Sequence, residues 1–196
     1  MEKINFIKTF IPQGDFREKY EHGGMMVRHL AAVLDEKMGA YECYECTVPI
    51  GEYDEGEIQK AFVEFSAKMD ALELKQAKAD KIAEITAYDT SSSVNGFMLN
   101  GLLVWLDKAT RVGLMNSTTI AKAAGQKTTT LWLGGIKLVV DCDNAIQLLS
   151  ALEMYALECF NVTASHKQAV SELTTIDEVE AYDYKSGYPK MLEMSV

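Results

Sequence analysis

The longest periodic stretch of the chain predicts a single helix. No Gly or Pro interrupts Ile58–Ile85, and Ala, Glu, Lys and Leu dominate it. Asp54, followed three residues later by Glu57, is typical of a capping box at the start of a helix. Apolar residues alternate four and three positions apart at Ile58, Phe62, Phe65, Met69 and Leu72. We call this row the heptad seam. It predicts either an amphipathic helix packed on its own domain or a coiled-coil contact between copies of the chain.

The residues before this helix favour strands. Glu2–Ile11 alternates loosely between apolar and polar residues, and Tyr41–Ile50 alternates more regularly. Met25–Leu34 is apolar at mixed spacing and fits either a strand or a short helix. We therefore expect a strand-rich N-terminal part, residues 1–56, and a linking helix, residues 57–86.

A polar, turn-prone stretch predicts the start of a C-terminal domain, residues 87–196. Beyond it, residues 97–107 and 131–141 share one form, in which two short apolar runs flank a two-residue turn. In the first segment the turn is Asn100-Gly101, a pair that favours the type I′ turn of a β-hairpin. The likeness is explained equally well by a duplication or by the common demands of hairpins.

Each predicted hairpin leads into a helix. Asp107 and Asp141 end the two hairpins and can cap helices that run to about Ala124 and about Phe160. The later helix carries one apolar stripe, which predicts that it packs on a sheet: Ala145, Leu148, Leu149, Leu152, Ala156, Cys159 and Phe160.

The remaining residues predict three short elements. These are a helix over Thr163–Leu173, a helix that begins with a Thr175/Glu178 capping box, and a final strand within Lys190–Val196. The fold class expected for the whole chain is α+β, with the two hairpin-plus-helix units sharing an antiparallel sheet that helices cover.

Composition excludes several classes of protein. The chain has 196 residues, of which 48% are apolar, and a formal charge of −10, which is typical of an acidic globular protein. It offers no basic patch for nucleic acid. Its longest apolar runs are far shorter than the roughly 20 residues of a membrane span, and no secretory signal is visible. We therefore expect no nucleic-acid or membrane partner and a location in the host cytoplasm.

Candidate catalytic and metal-binding residues are weak. Cys43 and Cys46 have the spacing of a zinc or redox pair, but no second pair follows, and they lie in an expected strand. Cys142 and Cys159 occur singly. His166 shares a helix face with Val170 and is expected to be half-buried and hydrogen-bonded. We expect no catalytic residue, metal or cofactor.

The aromatic residues allow two interpretations. Trp105 and Trp132 each lie in a hairpin strand with apolar neighbours, so they favour the core. Alternatively, they line a ligand pocket together with Tyr155. Arg111 follows Asp107 by four residues and is expected to pair with an acid near the end of the hairpin, in a structural role.

Four stretches carry a family resemblance. They are Val94-Asn-Gly-Phe, Trp105-Leu-Asp-Lys with Thr110-Arg111, Thr130-Leu-Trp132, and the stretch from Tyr155 to Thr163. Through them the chain, from about Ile82 to Val196, resembles a family of uncharacterised phage and prophage domains. Those domains are found near the C-terminal ends of tail and tail-fibre-associated proteins and are common in Bacteroides-type prophages. The resemblance implies a tail context and multimeric assembly, and it supplies no catalytic residues.

The expected function is that of a non-enzymatic phage or prophage tail or tail-fibre-associated structural or assembly protein. It would act through protein–protein contacts, with a tail or fibre protein as partner. Homo-oligomers would form through the heptad seam, and the protein would also occur in the virion. The alternative is a small-ligand or glycan-binding module that uses Trp105, Trp132, Tyr155 and Arg111. An enzyme ranks third.

Overall fold

A computed structural model describes residues 4–9, 16–19, 24–35 and 40–196. The chain divides into two compact units, Met1–Glu73 and Leu74–Val196, which we call unit 1 and unit 2. The boundary between them falls inside helix α1 (Glu55–Asp89). Both units contain helix and antiparallel sheet, so the predicted α+β class is confirmed.

Unit 1 contains a four-stranded antiparallel sheet with strand order β1-β4-β3-β2. Its strands are β1 (Ile7–Thr9), β2 (Phe16–Lys19), β3 (Gly24–Asp35) and β4 (Ala40–Pro49). The strand predicted over Tyr41–Ile50 is confirmed, and the ambiguous Met25–Leu34 segment is a strand. Of the predicted strand Glu2–Ile11, residues 4–9 are described, and Ile7–Thr9 of these form β1.

The capping box predicted at the start of α1 is confirmed. Asp54 Oδ1 accepts a hydrogen bond from the Glu57 amide at 2.8 Å, and Glu57 Oε2 accepts one from the Asp54 amide at 2.9 Å. These two bonds satisfy backbone donors that the first turn of a helix leaves free.

Most of the heptad seam packs on the chain's own sheet. Ile58 is 1% exposed, and Phe62, Phe65 and Met69 contact a cluster that includes Tyr44 of β4. Within unit 1 the helix therefore packs as the amphipathic interpretation predicts. Leu72, the last residue of the seam, is 48% exposed.

Unit 2 uses different positions of α1. Ile85 is fully buried against Val170 and Val179, and Leu74, Ala77 and Ile82 pack against the same cluster. None of these four helix positions belongs to the heptad seam. The apolar pattern after Leu72 thus serves a second core rather than a longer heptad row.

Both hairpins of unit 2 have the predicted turn. The first joins β5 (Gly96–Leu99) to β6 (Leu102–Trp105), and the second joins β7 (Thr128–Leu133) to β8 (Ile136–Asp141). Both residues of each turn have positive φ: 50° and 81° at Asn100-Gly101, and 58° and 88° at Gly134-Gly135. This is the conformation of a type I′ turn.

The two hairpins lie in separate sheets rather than in one shared sheet. β7 and β8 form a two-stranded sheet, whereas β5 pairs in parallel with β9 (Leu192–Met194), which gives the order β6-β5-β9. The two hairpins instead pack against each other. Gly134 of the second hairpin lies so close to Val104 of the first that a Cβ atom added at Gly134 would be 2.9 Å from Val104 Cγ1. Side chains of both hairpins enter one core with the middle of α4.

Four further helices complete unit 2: α2 (Ser92–Asn95), α3 (Lys108–Ala123), α4 (Cys142–Glu172) and α5 (Ile176–Ala181). The predicted break near Phe160 is wrong, because α4 continues to Glu172. No Gly or Pro interrupts it. The Thr163 hydroxyl donates to Asp89 Oδ1 at 2.8 Å, so it does not compete for the helix's own carbonyls.

Of the three helix caps predicted in unit 2, two are confirmed. Asp107 caps α3, and Thr175 forms the expected box with Glu178. Asp141 makes no side-chain cap bond, contrary to prediction. It ends β8, and the amide of the next residue, Cys142, already donates to the Lys127 carbonyl at 2.9 Å.

Candidate functional site

The structure places two of the predicted contact residues, Trp105 and Arg111, in the wall of one cavity of unit 2. The cavity has a volume of about 610 Å³ and lies where the end of β6 and the start of α3 meet the middle of α4. We call it the Trp105 cavity. Its lining residues are Asp89, Thr90, Asn95, Trp105, Leu106, Asp107, Lys108, Arg111, Glu153, Ala156, Leu157 and Phe160.

Arg111 is the buried cation of this wall. It is 8% exposed, and its Nε donates to Glu153 Oε1 at 2.9 Å while a terminal guanidinium nitrogen donates to the Leu106 carbonyl at 2.7 Å. The expected structural pairing with an acid is confirmed. The acid lies on α4, however, rather than at the end of the hairpin. Because a guanidinium has five N–H donors, other donors remain on the same group.

Asp107 holds the first turn of α3. Its carboxylate accepts hydrogen bonds from the Thr110 amide at 2.9 Å and from the Thr110 hydroxyl at 2.6 Å. These bonds stabilise the ionised form, the side-chain bond from Thr110 most strongly, so they lower the pKa of Asp107 below its ordinary value. Asp107 is thus an anion used for helix capping.

The cavity mouth is apolar and open. Trp105 is 40% exposed, Leu157 is 51% exposed and Phe160 is 60% exposed. Beside them stands Lys108, whose side-chain ammonium forms no ion pair or hydrogen bond with any described residue. The mouth therefore combines a broad aromatic surface with one uncommitted cation.

A polar network supports the opposite wall of the cavity. The Asn95 side-chain amide donates to the Asp89 carbonyl oxygen, and the Asp89 carboxylate accepts from the Thr163 hydroxyl at 2.8 Å. That hydroxyl also lies 3.0 Å from the Tyr188 hydroxyl. Burial raises the pKa of Tyr188, so its phenol stays protonated at neutral pH.

Tyr155 does not line the cavity, contrary to the ligand interpretation. It is 7% exposed, and its hydroxyl donates to the Val94 carbonyl at 2.7 Å. Cys159, one turn further along α4, places its thiol 3.4 Å from the same oxygen, and burial raises the pKa values of both groups. The two side chains follow Leu152 on the buried face of α4, so Tyr155 is a core residue.

Trp132 also lies outside the cavity, and the expectation that both tryptophans fill the core is wrong. Trp132 is 58% exposed on the outer face of the second hairpin, opposite Lys137. Neighbouring strand residues point to opposite faces. Leu131 and Leu133 occupy the core face there, and Val104 occupies it beside Trp105, so each tryptophan points outward.

Sequence reasoning missed the contribution of α4 to the cavity. Glu153, Leu157 and Phe160 follow one another at helical spacing, whereas the apolar stripe of the sequence places Phe160 in the core. A second, narrower apolar row at Met154, Leu157 and Phe160 is the signal that could have found it, since all three side chains are at least half exposed.

The cysteines and His166 have structural surroundings. Cys43 and Cys46 are buried in β4. His166 is half-buried; its Nε2 donates to the Ser186 carbonyl at 3.0 Å, and its Nδ1 lies 2.9 Å from the Tyr182 hydroxyl, as predicted for a hydrogen-bonded histidine. His22 lies outside the described residues. Among those that the structure describes, no group of three or more His, Cys, Asp or Glu side chains is arranged to hold a metal ion.

Unit 2 is thus an α+β module with an open, aromatic-mouthed cavity beside a buried arginine. Residues 76–186, more than half of the chain, match the model of the domain of unknown function DUF4376, and the chain belongs to this family. The matched range contains the whole lining of the Trp105 cavity. Neither the curated proteins nor the solved structures gave a match. In the described part of the chain, no helix has the length and apolar character needed to span a bilayer.

Proposed function

We propose that the chain is a non-enzymatic protein associated with the tail or tail fibre of a phage or prophage, and that it acts through contacts with other proteins. The resemblance along Ile82–Val196 supports the tail context and the Bacteroides-type prophage origin. The observation that carries the contact role is the exposed apolar mouth formed by Trp105, Leu157 and Phe160.

The mouth has the composition of an energetic centre for protein binding. Tryptophan and arginine dominate such centres because they bury a large area and form several hydrogen bonds. Arg111 is held in place by Glu153 and the Leu106 carbonyl before any partner arrives. Little side-chain entropy is therefore lost on binding.

The polar groups of the cavity favour binding over catalysis. The lining has three carboxylates, and each is used within the fold: Asp107 by Thr110, Glu153 by Arg111 and Asp89 by Thr163. The described lining contains no Ser, Cys or His that could act as a nucleophile or base in the common hydrolytic arrangements.

Particle composition tests the tail role. After induction of the prophage in its host, we expect the chain in purified particles or tail assemblies, cross-linked to an identified tail or fibre protein. Trp105→Ala combined with Phe160→Ser should reduce that cross-link strongly, and Trp132→Ala, outside the cavity, should leave it unchanged. Absence of the chain from particles and from tail intermediates would contradict the proposal.

A second candidate function, binding of a small ligand or glycan, is favoured by the size of the cavity. Its volume of about 610 Å³ lies within the range of roughly 300–1,000 Å³ typical of ligand sites. Trp105 provides a flat ring, while Lys108 and the remaining N–H groups of Arg111 provide donors. Titration with monosaccharides and small metabolites, followed by ligand-observed NMR, tests it. A hit must weaken in Trp105→Ala and persist in Trp132→Ala, and a screen without such a hit counts against this function.

A further inference from the structure

Strand β6 differs in composition from every other described edge strand. It is one edge of the β6-β5-β9 sheet, and its sequence is Leu-Leu-Val-Trp. Each of the other described edge strands contains at least one charged or hydroxyl side chain: Lys8 in β1, Arg17 in β2, Glu193 in β9, Thr130 in β7 and Lys137 in β8. Proteins usually place charges or prolines on free edges to prevent pairing with other chains. Unit 2 lacks that protection at β6.

The hairpin geometry shows which backbone groups of β6 face outward. In a two-residue type I′ hairpin, the residues that flank the turn bond to each other, and every second pair does the same. Leu102 therefore bonds to Leu99, and Val104 bonds to Phe97. The amides and carbonyls of Leu103 and Trp105 point away from β5. Within the described residues, neither makes a backbone hydrogen bond outside the hairpin.

The exposure of the side chains alternates from Leu103 to Trp105, while Leu102, next to the turn, is 59% exposed. Val104 is 2% exposed and belongs to the core, whereas Leu103 is 56% exposed and Trp105 is 40% exposed on the other face. The edge thus presents two free backbone positions and two uncovered apolar side chains at alternate residues.

We infer that the edge of β6 pairs with the same edge of a second copy of the chain, antiparallel about a two-fold axis at Val104. In this register Leu103 of each copy lies opposite Trp105 of the other. The outward amides and carbonyls then complete each other's hydrogen bonds. Two identical leucine–tryptophan pairs form on one face, and such aliphatic–aromatic cross-strand pairs stabilise sheets.

A second copy fits this edge because the edge is complementary to itself. In the two-fold register each outward backbone position meets an outward backbone position of the other copy. β6 contains no charged residue, so the pair places no like charges opposite each other. The heptad seam is a poorer surface for self-association, because Ile58, Phe62, Phe65 and Met69 already pack on the sheet of unit 1.

The small size of the contact sets its strength. The surface area buried when two four-residue edges pair is at or below the smallest area typical of specific interfaces, about 1,200 Å². The expected dimer is therefore weak, with a Kd in the micromolar range. This inference adds a partner to the proposed function but does not depend on a tail role, since the dimer would form in the purified chain.

Sedimentation and amide exchange of the full chain test the inference together. From about 5 to about 300 μM, we expect a monomer–dimer equilibrium. The amides of Leu103 and Trp105 should gain protection from exchange as the concentration rises, while those of β8 should not. Leu103→Lys should raise Kd by about 100-fold or more, because it buries a charge in the pair. Val139→Lys, at a position 64% exposed in β8, is the matched control and should leave Kd unchanged.

Either of two results would overturn the inference. A chain that stays monomeric at 300 μM has no such edge pairing. A dimer that survives Leu103→Lys, with the Leu103 and Trp105 amides exchanging at the same rate at all concentrations, uses a different surface. Circular dichroism of Leu103→Lys separates loss of pairing from loss of fold, and a Leu103→Thr variant, which keeps a strand-forming side chain, should show an intermediate Kd.

Discussion

The two hairpins of unit 2 share a turn type and an offset of 34 residues, with Leu99 matching Leu133 and Leu102 matching Ile136. They differ in the residues that come after the last strand. The first leads through the capping residue Asp107 to the buried Arg111 and the Trp105 cavity. At the matching positions, the second has Asp141, which caps nothing, and Ala145, which is fully buried in the core.

Under the proposed function, this difference separates a structural hairpin from a binding hairpin. The second hairpin keeps charges on its outer face and edge, with Lys137 opposite Trp132. The first leaves an uncharged edge and an open cavity beside its tryptophan. Two segments with the same local pattern thus acquire different roles through the helix positions next to them in the chain.

Removing the Arg111 side chain should give the largest loss of stability. Arg111→Ala leaves Glu153 and the Leu106 carbonyl without their buried donor, and we expect a loss of about 2–3 kcal/mol in the free energy of unfolding. This is below the range for fully buried pairs because the Glu153 side chain is 34% exposed. Urea denaturation measures it. Lys137→Ala, at the exposed cation of the second hairpin, should change stability by less than about 0.5 kcal/mol. Equal losses in the two variants would contradict the difference between the hairpins.

Substitution of Gly134, where the two hairpins approach closely, should give the second-largest loss of stability. Gly134→Ala forces a residue at φ 58° to carry a Cβ atom 2.9 Å from Val104, whereas Gly135→Ala at φ 88° meets nothing within 4 Å. We expect losses of about 2 and about 1 kcal/mol, respectively. In a Val104→Ala background the two glycine substitutions should cost the same, since the clash is gone. An unchanged difference in that background would show that Val104 is not its cause.

Asp107 should make the stability of the fold depend on pH in the acid range. The lowered pKa of Asp107 means that its carboxylate stabilises the fold above the ordinary pKa of about 3.9. That stabilisation is lost as the pH falls through the lower, folded-state value. Melting curves between pH 6 and pH 2.5 should therefore show a shallower acid loss in Asp107→Asn than in the natural chain. An acid loss in Asp107→Asn as steep as that of the natural chain would contradict this role of the Asp107 carboxylate.

The tryptophans should give the smallest change in stability. Since both rings are partly exposed, Trp105→Phe and Trp132→Phe should each cost less than about 1 kcal/mol. Acrylamide should quench both residues, and it should quench Trp132, at 58% exposure, more than Trp105, at 40%. Emission that is blue-shifted and resistant to quenching would restore the core interpretation of these residues.

Local chemistry accounts for the features that the sequence predicted correctly. The Asn100-Gly101 turn, the Asp54/Glu57 box and the Thr175/Glu178 box each depend on residues within three positions of one another. The long helix was predicted from a stretch that contains no Gly or Pro and is rich in Ala, Glu, Lys and Leu. These features need no knowledge of the rest of the chain.

The features that were predicted wrongly or missed depend on contacts between residues far apart in the sequence. The pairing of β9 with β5 and the bond from Arg111 to Glu153 join residues far apart in sequence, and no local signal marks them. Alternation places Trp105 and Trp132 on one face of a strand, but only the packing of α4 decides which face is inside. The helix break expected near Phe160 is absent from α4, where the Thr163 hydroxyl donates a hydrogen bond to Asp89 of α1.

The side-chain indole N–H signals test most directly the claim that binding belongs to the first hairpin. The chain has only two tryptophans, so an amide correlation NMR spectrum of the full chain shows two indole signals, assigned by the two Trp→Phe variants. Across a concentration series from about 5 to about 300 μM, the Trp105 signal should shift while the Trp132 signal stays fixed. A shift of Trp132 alone, or of neither signal, would contradict the account.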